Sequence, residues 1–525
     1  MAISSKNYFG NLPVISLLLG IIIINASYHK PFRQPVEHDF ATLYYYTQEV
    51  GKGRLFYRDV WDVKAPLTFY LLSSVYRLHH RYPFIDYIVS VRLLLIGILF
   101  LSALIIFFLL DNWLNERWSA LTAALIFASL TDQMLYACMG PTSKIMMNFT
   151  GLVSLWFVSR NRYGAAGLFA GLAFLNWQPG IAFVIPFIFY LYQKRKTKIF
   201  QAAVRYISFF FLPLVVMILY YWFNGALHYL YHTLYTFGTY RVSAHFHPQK
   251  TIKTIHEVVA GLGEKHLFYL SLAVFSGYPA FRLLQRFLSK PIDKAVIGKI
   301  DLLFALSMAT VTYSVVNFNW ILDTVPFTPL VSVWSGLFFS LPVWLLPLTE
   351  NAKKAYLAVT MLLILAYSLS NCVTYNLNRT VFEGGIEHGK HFRIKKRVVF
   401  DRDYQERYIR RITGSSPRIF SLGSAEYLLL WELSNPIPFV VFPTELEVFV
   451  NNNFPGGWPS LYSKIKAADP DYFVIHPSGD PETLKRLYDY LKENNYKIQS
   501  WQHKKRSVYT FQEFLYDKRN QPGSQ

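Results

Sequence analysis

Long stretches with almost no charge recur along this chain, at residues 12–24, 93–110, 207–221 and 356–369. Each is long enough, with its flanks, to cross roughly 30 Å of hydrocarbon, and a chain built this way cannot hide all of them inside a water-soluble domain. The expected fold class is a polytopic α-helical membrane protein. About eleven spans are expected, near residues 12–27, 84–110, 118–139, 145–159, 163–176, 179–192, 204–224, 266–285, 299–317, 326–347 and 353–371.

The formal net charge of +20 does not point to nucleic acid, because the basic residues fall between apolar spans and in the C-terminal tail instead of forming one basic face. The two cysteines, Cys138 and Cys372, sit at span ends and give neither a disulfide framework nor a metal cluster. Lys6 ahead of the first apolar run, with only a loose cleavage-like Asn25-Ala26-Ser27 after it, reads as a retained signal anchor. Lys194, Arg195, Lys196, Lys198 and Arg205 cluster in one short loop, and Arg282, Arg286, Lys290, Lys294 and Lys299 in another. The short loops around Lys144, Trp177 and Asn319 are almost uncharged. This asymmetry puts the two basic loops and the N-terminus in the cytoplasm, and residues 28–83, 225–265 and everything after about 372 outside.

The first outer segment is too long for a connector. It carries two helix-like stretches, residues 40–50 and 66–78, whose mixed aromatic and polar faces suit helices lying on the membrane surface. After residue 378 the hydropathy drops and strands alternate with helices. Strands are expected at 418–422, 438–442, 472–476 and 507–511 and helices near 403–413, 458–467 and 481–495, giving a small extracytoplasmic α/β domain over 379–525 beside a membrane domain over 1–378.

The chemistry-bearing residues gather in the first outer loop as Glu37-His38-Asp39-Phe40, Tyr44, Tyr57-Arg58-Asp59 and Asp62-Val63-Lys64-Ala65-Pro66-Leu67. An acid at the membrane surface, with a cation some twenty-five positions on, suits a lipid-phosphate substrate: the carboxylate takes a proton from a nucleophile and the cation offsets the phosphate. Each residue also has a plainer reading. Asp39 would solvate the end of the first span, Lys64 would snorkel to the interface, and Asp59 and Asp62 would pair with Arg54 or Arg58. Asp323, between two apolar spans, belongs to a class of position that is either functional or paired. Arg241, His245 and His247 suit lipid head groups, and their histidine spacing lacks a third metal ligand.

The first-loop arrangement resembles the GT-C superfamily of polytopic glycosyltransferases, in particular the bacterial branch similar to protein O-mannosyltransferases and the lipid A aminoarabinose transferase. Asp39 matches the acid after the first span, and Lys64-Ala65-Pro66-Leu67 matches a Lys-Pro-Pro-Leu-like motif before the second. Phe40 stands where a second acid is common, Ala65 replaces the first proline, and Gly140-Pro141-Thr142-Ser143-Lys144 stands where the second outer loop often has another acid. The glycine-rich run at 167–175 and the stretch Asp323-Thr324-Val325-Pro326-Phe327 add weaker likeness.

The resemblance implies an inverting transfer of a sugar from a polyprenyl-phosphate donor to an envelope glycan, lipid or protein on the outer face of a bacterial cytoplasmic membrane. It implies Asp39 as the base, Lys64 as the phosphate ligand with Arg58 or Arg241 as further cations, and no required cofactor, a divalent ion being left open. His38, Tyr44, Asp59, Asp62, His245 and Asp323 are the further candidates for substrate contact. Two rival classes stay open: a lipid-linked-sugar flippase or transporter, and a non-catalytic membrane scaffold.

Overall fold

The structure, a computed structural model, describes residues 11–36, 38–114, 117–188, 199–237, 248–262, 264–284, 294–317, 321–345, 349–378, 417–423, 425–440, 446–475, 481–500 and 514–517, with a few isolated positions between 407 and 413. Its first half runs α1 (Leu12–Tyr28), α2 (His38–Gly51), α3 (Leu67–Arg81), α4 (Tyr87–Leu114), α5 (Arg117–Ser129), α6 (Thr131–Met139), α7 (Ser143–Ser159) and α8 (Tyr163–Asn176). A 3-10 turn at Gln178–Val184 leads on to α9 (Ile199–Phe223) and the short α10 (Leu227–Tyr231). Next come α11 (Pro248–Gly261), α12 (Lys265–Leu284), α13 (Lys294–Asn317), a 3-10 turn at Ile321–Phe327, α14 (Thr328–Leu345) and α15 (Glu350–Asn378).

Each expected span falls on a helical segment, but the segments differ in kind. Among the described residues five helices are long and apolar enough to cross a membrane, or six if the bent pair α5 and α6 counts as one span. Others, such as α8 with 14 residues, are shorter than a full crossing at 1.5 Å per residue, while α12 has 20 residues but is outside the five. The expected number of eleven is therefore not reached by length and composition. The outermost helices are recognisable by their lipid-facing side chains: Phe200, Phe209, Phe211, Val216 and Trp222 of α9 are exposed. Against the other side of α9 lies the glycine-rich run. A Cβ at Gly167 would meet the Tyr206 carbonyl oxygen at 2.1 Å, and one at Gly171 the Phe210 carbonyl at 2.3 Å, so two small residues four apart let the backbones touch.

The break between α5 and α6 bends the chain by 48° and exposes backbone groups that a hydrocarbon interior leaves unsatisfied. Both sides are met by side chains. Asn25 of α1 donates to the carbonyls of Ala128 (3.2 Å) and Leu130 (3.4 Å). The Glu264 carboxyl accepts from the Thr131 N–H and hydroxyl and from the Asp132 N–H at 3.3 Å.

α2 departs from the expected surface-lying helix. Every residue from Phe40 to Val50 is buried, because α3 packs on it from one side and the C-terminal residues from another. Those residues form β1 (Ile419–Leu422), α16 (Glu426–Leu430), α17 (Leu446–Asn453), α18 (Gly457–Ala468), β2 (Tyr472–Ile475), α19 (Pro481–Glu493), β3 (Lys497–Ser500) and β4 (Phe514–Asp517). The sheet order is β1-β2-β4-β3, with β1 parallel to β2 and the other pairs antiparallel.

The expected strands at 418–422 and 472–476 and helices at 458–467 and 481–495 correspond to β1, β2, α18 and α19. Residues 438–440 form no strand, since Pro436 and Pro438 remove ladder donors. The expected strand at 507–511 and most of the helix at 403–413 lie outside the described residues, as does the expected boundary after 378. The core of the sheet is shared with the loops: Trp61 and Phe237 pack with Phe439, Phe449 and Trp458.

The Glu264 carboxyl gives a pH signature. Burial, reinforced by Asp132 beside it, pushes it above the usual carboxylate range. The folded state thus holds this proton more tightly than the unfolded chain, and stability falls as pH rises above the ordinary carboxylate range. Thermal unfolding followed by tryptophan fluorescence in detergent is expected to show that decline as the pH is raised from about 5, and Glu264→Gln is expected to flatten it.

Candidate active site

The residues that could perform chemistry are positioned from a buried arginine outward. Arg92 lies in the second turn of α4, is fully buried, and donates to the carbonyls of Pro31 (2.8 Å), Gln34 (2.8 Å), Pro35 (3.2 Å) and Met139 (3.3 Å). One guanidinium thereby fixes both the segment that leads into α2 and the end of α6 that leads into α7. Tyr44 closes the same joint: its ring fills the space beside Gly140, where a Cβ would lie 2.4 Å from Cε2, and its hydroxyl donates to the Ile88 carbonyl at 3.2 Å. Tyr44 is thus part of the packing and offers no surface to a substrate.

Asp39 emerges from this joint in the first turn of α2. Its side chain is exposed and makes no hydrogen bond or ion pair with any described residue. His38 starts the same helix, though its side chain is outside the described set, and Arg241 and His245 are wholly outside it.

Lys64 is held by a second set of contacts. Asp62, mostly buried, pairs with its ammonium at 2.9 Å and accepts from the Val63 N–H (2.6 Å) and the Lys64 N–H (3.3 Å). The Tyr57 hydroxyl donates to the Lys64 carbonyl at 2.7 Å, although Tyr57 must adopt φ +73° to reach it. Such a backbone costs about 1–3 kcal/mol and persists only where the surroundings impose it; here the ring is wedged against Phe56 and Tyr221. Trp61, three residues before Lys64, is anchored in the C-terminal core, its N–H donating to the Pro438 carbonyl at 3.0 Å and its indole to Thr233 at 3.0 Å.

Arg58 and Asp59 point elsewhere. Arg58 makes a two-pronged contact with Asp59 at 2.9 Å and reaches the Asn224 carbonyl at 3.3 Å, stapling the loop to the end of α9. Burial alone would raise the Asp59 carboxyl, but Arg58 brings it below the usual range.

The partner of Asp323 is Lys144. The two form an ion pair with side chains only 14% and 15% exposed, and the ammonium sits 4.7 Å above the Trp177 ring, a favourable cation–π distance. One turn along α7, Asn148 donates to the Val325 carbonyl at 2.7 Å, so this face of α7 is docked on the 3-10 turn that carries Asp323. The Lys144 ammonium is in the field of Asp323, Lys64 and Asp39 together. Asp323 pairs directly with Lys144, and Gln178, next to Trp177, donates to the Val63 carbonyl at 3.4 Å, which brings the loop that carries Lys64 to the ring under Lys144. Arg92 holds the approach to Asp39 beside the end of α6, from which Lys144 follows. The first-loop motifs do not reveal Arg92 or Lys144. The signal for Arg92 is a lone cation inside an apolar run, a position that demands partners.

No protein-family model and no curated protein matches the chain. Solved structures do. ArnT from Cupriavidus metallidurans bound to undecaprenyl phosphate aligns at TM-score 0.55 and 11% identity over 96% of this chain and 98% of that one. The apo oligosaccharyltransferase from Archaeoglobus fulgidus aligns at TM-score 0.56 and 12% identity, over 90% and 70%. The archaeal oligosaccharyltransferase AglB from Archaeoglobus fulgidus, in complex with an inhibitory peptide and a dolichol-phosphate, aligns at 0.50 and 12%, over 89% and 70%. At such identities the likeness is one of fold, shared with these membrane proteins over most of this chain.

Replacing Arg92 tests the joint. Arg92→Met removes the donor from three buried carbonyls and the part-buried Gln34 carbonyl, a buried one being worth about 1–3 kcal/mol when left unsatisfied. The variant is expected to unfold well below wild type in a detergent thermal scan, and Arg92→Lys to recover only part of the loss because a single ammonium cannot span the same carbonyls.

Proposed function

We propose that this chain is an inverting glycosyltransferase that moves a sugar from a polyprenyl phosphate to a hydroxyl of an envelope glycan, lipid or protein. The observation that carries the reading is an exposed carboxylate, Asp39, in the first turn of α2, with the Lys64 ammonium held by Asp62 on the loop that follows the same helix. Further support comes from the fold, shared over nearly the whole chain with a protein crystallised with undecaprenyl phosphate and with one complexed to a dolichol-phosphate. The loop charges favour a site on the outer face of a bacterial cytoplasmic membrane, with the N-terminus inside.

In the proposed step Asp39 takes the proton of the acceptor hydroxyl as its oxygen bonds to the anomeric carbon. The bond from that carbon to the phosphate oxygen breaks on the opposite side, and its electron pair leaves on the phosphate. The phosphate goes from a singly charged diester to a doubly charged monoester, and the Lys64 ammonium offsets the added charge. Asp62 keeps that ammonium in place and the Tyr57 hydroxyl fixes the backbone beneath it. Because the lipid anchors the donor and supplies the leaving group, the protein's share is orientation, a base and a counter-charge. No cofactor enters the step.

Purified protein in liposomes, given a polyprenyl-phosphate sugar and an envelope acceptor fraction, is the test. Asp39→Asn is expected to lower the transfer rate about 10²–10⁴-fold with insertion and donor binding retained. Near-wild-type transfer by that variant would remove Asp39 as the base, and movement of the lipid without covalent change would favour a transporter.

A further inference from the structure

Lys144 stands outside the first-loop motifs, yet its environment is the most constrained of any cation at this site. Its ammonium is mostly buried, faces the Trp177 ring, and is tied to Asp323 on a turn that Asn148 holds against α7. An ammonium has three donors, and Asp323 uses one of them. Lys64, a second cation among the described residues, is bound to Asp62.

The local charge balance shows why one cation is too few. Asp62 pairs with Lys64 and Asp323 with Lys144, so among the described residues each of these ammonium groups is already matched by a carboxylate before any phosphate arrives. Bond cleavage adds a second negative charge to the phosphate. Lys64 alone, already shared with Asp62, would have to absorb that charge beside an ionised base.

We infer that Lys144 is a second phosphate-binding cation of the donor site, steadied by Asp323 and the Trp177 ring while its remaining N–H donors turn to the lipid phosphate. Asp323 is then a positioning residue, and the site suits a lipid carrying a single phosphate better than a diphosphate, whose extra charge has no further cation among these groups. The inference rests on the lipid-phosphate donor proposed above.

The experiment measures binding of undecaprenyl phosphate, undecaprenyl diphosphate and undecaprenol to the full-length protein in detergent. It compares wild type, Lys64→Gln, Lys144→Gln and the double variant Lys144→Gln with Asp323→Asn. The double variant also neutralises the carboxylate that Lys144→Gln leaves without its ammonium, so it separates a folding defect from a lost phosphate contact. Wild type is expected to bind the monophosphate at least tenfold more tightly than the alcohol, and at least as tightly as the diphosphate. The double variant, folded, is expected to lose about tenfold in monophosphate affinity with the alcohol unchanged.

Wild-type affinity for the monophosphate in the double variant would overturn the role of Lys144, and the donor reading would survive if Lys64→Gln still weakened the phosphate. A wild type that does not distinguish phosphate from alcohol would overturn the donor reading and this inference together. Preference for the diphosphate would overturn the inferred single-phosphate selectivity.

Discussion

A charged side chain inside the protein has to be solvated by the protein itself, and Arg92 meets that demand with four backbone carbonyls from two separate segments. Those carbonyls belong to the approach to α2 and the end of α6, the stretches that deliver Asp39 and Lys144. The guanidinium fork suits this because its donors diverge in one plane. The same contact that makes the arginine tolerable inside the fold sets where the stretches carrying Asp39 and Lys144 begin relative to one another. Tyr44 against Gly140 tightens the joint further.

The C-terminal residues contribute from the other side. Asn435 binds both the Ser421 backbone and the Phe439 carbonyl, and its N–H donates to the Tyr45 hydroxyl of α2. Lys52 at the end of α2 reaches the Glu432 carbonyl at 2.7 Å. With Trp61 set into the sheet's core, the Lys64 loop is held between membrane helices and the α/β part. Asp39 and Lys64 thus rest on rigid elements, which is what a step governed by orientation requires.

Much of this was legible in the sequence, for identifiable reasons. Apolar runs declare helices because hydrocarbon leaves the backbone no other way to satisfy its hydrogen bonds. The paired motifs around Asp39 and Lys64 are local, so spacing alone brings them forward. The burial of α2 was not legible, because it depends on residues nearly four hundred positions away, as the Tyr45 to Asn435 contact shows. Tyr44 and Arg58 carry chemistry-bearing groups but are used for packing and stapling, a distinction visible only in their partners. Lys144 reads as an ordinary interfacial lysine until Asp323, 179 residues later, is placed beside it. The proline-marked segment at 438–440 shows the opposite error, an apolar run without the N–H donors that a ladder needs.

The central claim is that Asp39, Lys64 and Lys144 surround one lipid phosphate. An experimental structure of the full chain with undecaprenyl phosphate bound tests it most directly. The account predicts phosphate oxygens within hydrogen-bond reach of both ammonium groups, about 3 Å, with the Asp39 carboxylate facing the position of the sugar. A phosphate seated away from Lys64 and Lys144, or an Asp39 on a wall that does not face it, would contradict the account.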